Sequence, residues 1–131
     1  MNKKMNRRDF NKLSAFAGLG LMSAGRVHVL AKSANSKVVL AVAGIHGHGL
    51  DLSIKFAGLK NVEIKYVVDV DSRFLSKAAD QVAECQGRRP QEIKDFRKAL
   101  EDQDVDGLVI ATPEQWHAPM AIEAVKAGKH V

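Results

Sequence analysis

Val38-Val-Leu-Ala-Val-Ala-Gly-Ile-His-Gly-His-Gly49 is the stretch whose reading decides the fold. Six apolar residues run without alternation, as they do in a strand buried on both faces of a parallel sheet, and then break into glycines. A strand that feeds a glycine turn and then a helix leaves backbone amides and a helix N-terminus free for a phosphate. Gly44, Gly47 and Gly49 would shape that loop. A dinucleotide fingerprint places glycine first, third and sixth, and His46 takes the third place here. A Cβ at that position costs close approach to a pyrophosphate, so exchange of His46 for glycine is expected to tighten binding.

Downstream, Leu50, Ile54 and Ala57 recur at helical spacing, predicting a helix from Gly49 to Ala57 that stops at Gly58. Val62 to Val70 alternates and then turns apolar, as a second strand. Asp71 or Ser72 would cap a helix with Leu75, Ala78, Ala79, Val82 and Cys85 on its packed face, ended by Gly87. Ile93 to Phe96 reads as a short edge strand, followed by helix through Leu100. Asp104 to Thr112 centres on a continuous apolar strand that Pro113 ends. A last helix runs from Trp116 through Val125 to Gly128, and His130-Val131 begins a further segment. Strands and helices alternate with short connections, which is the pattern of a doubly wound α/β fold around a parallel sheet.

Asp69 is the natural partner of the glycine loop. It closes the second strand 25 positions after Gly44, where an acid can bond the adenosine ribose hydroxyls and disfavour a 2′-phosphate. Asp71 competes for that role, and Arg73 could instead meet a 2′-phosphate, so NAD and NADP both stay open, with Asp69 favouring NAD. His46 and His48 are either donors to a pyrophosphate or plain loop residues; two imidazoles without a third ligand make no metal site. Thr112 and Pro113 close the third long strand at the carboxyl edge, where open sheets bind ligands. His117 either meets the nicotinamide-side ribose or caps the helix with Trp116. No nucleophile–base pair and no carboxylate pair is spaced for acid–base work, so no catalytic residue is assigned.

The chain has 131 residues and a net charge of +5, but the charge is uneven. Residues 1–37 hold eight Lys/Arg and one acid, whereas residues 38–131 hold 12 Lys/Arg against 14 Asp/Glu. A nucleic-acid binder should carry its positive excess on the folded domain, so that class is set aside. The single cysteine, Cys85, excludes a disulfide framework and any multi-cysteine zinc site, and is expected to pack in the core or half-buried on a helix. Residues 1–34 have the basic-then-apolar layout of an export leader, too short and weakly apolar for a stable membrane span. An ordinary amphipathic N-terminal helix is the alternative reading of that segment.

Asp104-Val-Asp-Gly-Leu-Val-Ile-Ala-Thr-Pro-Glu-Gln-Trp-His117 and its continuation to Gly128-Lys-His-Val131, with the loop at Gly44 and Val67-Val-Asp-Val-Asp71, resemble one family. It is the N-terminal half of the glucose–fructose oxidoreductase / inositol dehydrogenase (Gfo/Idh/MocA) group, and the resemblance covers residues 37–131. It implies a partial NAD(P)-binding Rossmann domain, truncated before the family's Glu-Lys-Pro lysine and with no second domain. Gly44, Gly47, Gly49 and Asp69 would be cofactor contacts, and Thr112, Pro113 and His117 would line the nicotinamide end. The implied parent is an NAD(P)-dependent oxidoreductase acting on a sugar or polyol hydroxyl. An NAD-dependent glycosidase of the same fold, or an inactive nucleotide-binding module, is the alternative. Arg7-Arg8 with Phe10 and Lys12 resembles a twin-arginine signal, implying a periplasmic destination. A sheet edge left unpaired near Lys129 predicts aggregation or a homo-oligomer.

Overall fold

A computed structural model describes residues 37–131. The leader at 1–34 and its twin-arginine pattern lie outside the described residues. Four parallel strands form one sheet: β1 (Val38–Ala43), β2 (Val62–Val68), β3 (Gln91–Ile93) and β4 (Gly107–Ile110), in the order β3-β2-β1-β4. Helices α1 (His48–Ala57) and α2 (Ser72–Gln86) cover one face; the short α3 (Arg97–Glu101) and α4 (His117–Lys126), which a 3-10 turn at Glu114–Trp116 introduces, cover the other. The doubly wound arrangement is therefore present, and no second domain occurs among the described residues.

Each face has its own core. Val42, Ile64 and Val67 pack with Leu75, Ala78, Ala79 and Val82 of α2, whereas Ala41, Ala43, Tyr66 and Val68 pack with Phe96, Leu100, Met120 and Ala124. In β2 the expected alternation breaks. Leu40 stands opposite Ile64 and Ala41 opposite Tyr66, so Lys65 is an extra residue and the strand bulges there. The bulge sends Ile64 to one face and Tyr66 to the other, splitting a stripe that simple alternation places on one side. It also points Lys65 and Tyr66 at one acceptor. Lys65 Nζ lies 2.6 Å from the Asp102 carboxylate and the Tyr66 hydroxyl donates to Asp102 at 2.9 Å. Lys65 further reaches Asp104 at 3.0 Å.

Several boundaries differ from the sequence reading, each for a local reason. The stripe of α1 set most deeply against the sheet is Gly49, Ser53 and Ala57 rather than the larger Leu50 and Ile54, because small residues let the helix sit close to β1. β2 ends at Val68, and Val70 is exposed. β3 runs Gln91–Ile93 instead of Ile93–Phe96, leaving Lys94 to Phe96 as the turn beyond its end. Cys85 is exposed, not packed. From Val82 the inward path of α2 continues to Gln86, whose amide accepts from Ile64 N and donates to Ile64 O, both at 2.9 Å. β3 pairs only with Tyr66 to Val68, so Gln86 supplies to the lower edge of β2 the bonds a strand would have made. Past α4, Gly128 turns the chain at φ +73°, and His130 bridges to β4 through Leu108 N at 2.8 Å and Asp106 O at 2.9 Å.

The hydrogen bonds from Lys65 and Tyr66 hold the Asp102 carboxyl down at about 2. A depressed carboxylate stabilises the fold above its unfolded pKa of about 3.9, and that contribution is lost as the pH falls towards 2. Replacing Asp102 by Asn should lower stability at pH 7 by roughly 1–3 kcal/mol and flatten the loss between pH 4 and 2. Urea titrations of both proteins across that range check it.

Candidate dinucleotide site

The site forms where the carboxyl ends of β1, β2 and β4 meet. Gly44 leaves β1 with φ +83°, a conformation that side chains other than glycine's rarely adopt, and a Cβ there would lie 2.6 Å from the Ala111 carbonyl oxygen. The turn then brings α1 back so closely that a Cβ on Gly49 would stand 1.7 Å from the Gly44 carbonyl oxygen. These two glycines are therefore fixed by contact: one by the end of β4, the other by helix-on-turn packing. Gly47 differs. It caps α1 at φ +69° with open space where a Cβ would be.

No side chain caps α1. Its first-turn amides point out of the turn as the anion site that a helix N-terminus provides. The residues thus fit a pyrophosphate: a cradle that a Cβ would fill, and amide donors that no side chain occupies. His48 opens α1 and is exposed. His46 is also exposed, with an ordinary negative φ, and its ring packs on Phe74 near the start of α2, centroids 4.3 Å apart and planes tilted by 44°. Glycine in its place would remove this contact as well as the Cβ.

Asp69 joins the loop to the second strand. One carboxylate oxygen accepts from Ile45 N at 3.1 Å, and the other from Asp71 N at 2.9 Å. Each oxygen keeps a further lone pair for a hydroxyl donor. Asp71 caps α2 by accepting from Arg73 N at 3.0 Å and also pairs with the Arg73 guanidinium at 2.5 Å, which brings its carboxyl down to about 2. Of the two acids at this corner, Asp69 is the one with open acceptor sites.

A mainly apolar cleft of about 330 Å³ lies beside the turn. Gly44, Asp69, Thr112 and Pro113 all line it, together with Trp116 and the Lys94–Arg97 turn after β3. His117 does not line this cleft. Its Nε2 sits 2.7 Å from the Thr112 carbonyl oxygen, and the residue borders a separate groove beside β4 with Val109 and Ala121. Lys94, Phe96, Arg97 and Trp116 are cleft residues that the sequence reading did not assign. A strand extended to Phe96 hides Lys94 and Phe96, and a helix that follows it at once hides Arg97, whereas a strand end at Ile93 puts all three at the cleft edge.

Among the described residues no group of three or more His, Cys, Asp or Glu could hold a metal ion, and no helix is long and apolar enough to cross a membrane.

A family model described as an oxidoreductase family with an NAD-binding Rossmann fold (GFO_IDH_MocA) matches residues 14–131. A glycosyl hydrolase family 109 protein of Saccharopolyspora erythraea is 30% identical over 147 residues, covering 96% of this chain and 32% of that protein. The chain thus spans about a third of the length of the curated relatives it matches. An NAD-binding protein from Listeria innocua superposes with TM-score 0.62 at 30% identity, over 73% of this chain and 26% of that one. Scyllo-inositol dehydrogenase from Lactobacillus casei, solved with NAD(H) and scyllo-inositol, shares the fold with TM-score 0.65 at 20% identity, over 73% and 27%.

The two kinds of glycine separate in a stability measurement. Gly47→Ala should cost only about 1–2 kcal/mol, the strain of a left-handed alanine. Gly49→Ala, which must push α1 off the turn, should cost more than that. Equal urea midpoints for the two variants would contradict the contact described at Gly49.

Proposed function

Because the chain belongs to the oxidoreductase family with the NAD-binding Rossmann fold, we propose that it holds NAD for a carbohydrate-active protein, best read as a redox-assisted glycosidase. The observation that carries the cofactor is the junction of the Gly44–Gly49 turn, which leads into the uncapped start of α1, with the Asp69 carboxylate that accepts from Ile45 N, Gly44 and Asp69 both lining the cleft. In this reading the first-turn amides of α1 bind the pyrophosphate, and the open lone pairs of Asp69 take the adenosine ribose hydroxyls. Thr112, Pro113 and Trp116 wall the cleft and exclude water from the bound face. Bound NAD supplies a hydride acceptor at a sugar carbon. These residues are assigned the cofactor and not the bond cleavage.

The glycosidase reading rests on the glycosyl hydrolase family 109 relatives, which align along 96% of this chain. A dehydrogenase acting on a sugar or polyol is the second reading, favoured by the oxidoreductase description of the family itself. The two differ in what happens to the hydride. A redox-assisted glycosidase returns it within each turnover, whereas a dehydrogenase releases reduced cofactor.

Calorimetric titration of the chain with NAD should give a Kd below about 1 mM, the −4 kcal/mol threshold of measurable binding. Absence of heat at millimolar NAD would overturn the cofactor assignment. In a longer protein carrying this domain, cleavage of aryl glycosides without accumulation of NADH supports the glycosidase. Stoichiometric NADH from a free sugar or polyol supports the dehydrogenase.

A further inference from the structure

We infer that the lower edge of β2 is a strand-pairing surface held shut by the side chain of Gln86, and that the partner it fits when open is the same edge of a second copy of the chain. β2 runs Val62–Val68, but β3 pairs with it only from Tyr66 to Val68. Among the described residues no strand lies beside β2 below Tyr66 on that side. An edge of this kind carries main-chain groups that template another chain. Ile64 stands in the gap and is fully buried. Its N–H and its C=O are both taken by one carboxamide: Gln86 Oε1 accepts from Ile64 N and Gln86 Nε2 donates to Ile64 O, each at 2.9 Å.

One C=O and one N–H offered to the same residue are what an antiparallel neighbour presents at a hydrogen-bonded pair. Gln86 therefore occupies the place of a strand. It is also held from the far side, because Gly87 turns the chain at φ +74° and the Arg88 carbonyl oxygen accepts from Gln86 Nε2 at 2.8 Å. Both amide protons and the amide oxygen are thus engaged. Around the gap the sequence reads Glu63-Ile64-Lys65. Antiparallel pairing of two copies centred on Ile64 sets each Glu63 across from the second copy's Lys65, so the edge complements itself in charge as well as in main-chain bonds. In the closed chain both charges are occupied. Arg88 Nη1 lies 2.9 Å from Glu63, and Lys65 Nζ lies 2.6 Å from Asp102. The carboxamide and the Arg88–Glu63 pair come from one turn at the end of α2, and together they close the edge.

Amide hydrogen exchange of the full chain over a range of protein concentration, read at Ile64, tests this. Val67, paired with Val42 of β1 in the same strand, reports whether the sheet is intact. Gln86→Ala removes the carboxamide and keeps a strong helix former at the end of α2. In dilute solution the Ile64 N–H should then exchange about ten-fold faster or more than in the unaltered protein, with Val67 unchanged. Raising the concentration should slow it again as copies pair, whereas in the unaltered protein its rate should not depend on concentration. Association at any other surface leaves the Ile64 amide where it was. Gln86→Glu supplies the second reading. Neutral, its carboxyl has the donor and the acceptor that the amide offers to Ile64; ionised, it has lost the donor. It should match the unaltered protein at about pH 4 and Gln86→Ala at about pH 7. The unaltered protein at the same pH is the reference for Glu63 and Arg88, which flank the site. Ile64 exchange that stays slow in Gln86→Ala overturns the proposal. So does fast exchange that no concentration suppresses, or a Gln86→Glu protein that behaves alike at both pH values. Should Gln86→Ala expose Val67 as well, the comparison between the two pH values in Gln86→Glu decides alone.

Discussion

The contact between the Gly44 carbonyl and Gly49 is the constraint on which the upper half of the domain depends. α1 can start where it does only because no Cβ separates it from the turn it has just left. That proximity lets Gly49, Ser53 and Ala57 lie flat on the sheet, and Ser53, fully buried, answers for its hydroxyl by donating to the Gly49 carbonyl at 2.7 Å. On the other side of β1 the same turn leaves no room between Gly44 and Ala111, which fixes the height at which β4 ends. The cleft is what remains once these contacts are satisfied. Its position follows from packing, before any ligand is considered.

Asp69 makes that arrangement rigid. A carboxylate at the end of β2 that accepts from the glycine turn on one side and from the α2 cap on the other is a brace across two loops. The same brace orients its open lone pairs towards the cleft. In the proposed reading structural and ligand roles coincide in this residue, so loss of Asp69 would disturb the loop as well as any hydroxyl contact. Asp71 and Arg73 sit one step further out, closed on each other, where charge can be altered at less structural cost.

Most of the architecture was legible because it depends on runs and breaks. The unbroken apolar strand into Gly44, the Asp71 cap, the Gly87 stop and the strand ended by Pro113 all declare themselves in composition and spacing. What was illegible depends on three-dimensional accommodation. The bulge at Lys65 leaves Val62 to Val68 looking alternating, yet it reverses the face of half the strand. Cys85 and Gln86 are both allowed inward by helical spacing; Gln86 is chosen because β3 is too short to pair with Ile64, a fact about another element. The short β3 had the same effect on the site, since its true end exposes Lys94 to Arg97 at the cleft.

His46 shows where the fingerprint itself needs restating. Of its three glycines, the first and last are demanded here by measurable overlap, 2.6 Å at Gly44 and 1.7 Å at Gly49. The middle place carries a residue outside the left-handed region, with a ring engaged with Phe74. The fold therefore does not require glycine at that place, and any penalty for His46 falls on ligand approach alone. The stability of the turn and its closeness to a pyrophosphate are separable properties in this chain. The first is written in Gly44 and Gly49, and the second in whatever stands between Ile45 and Gly47.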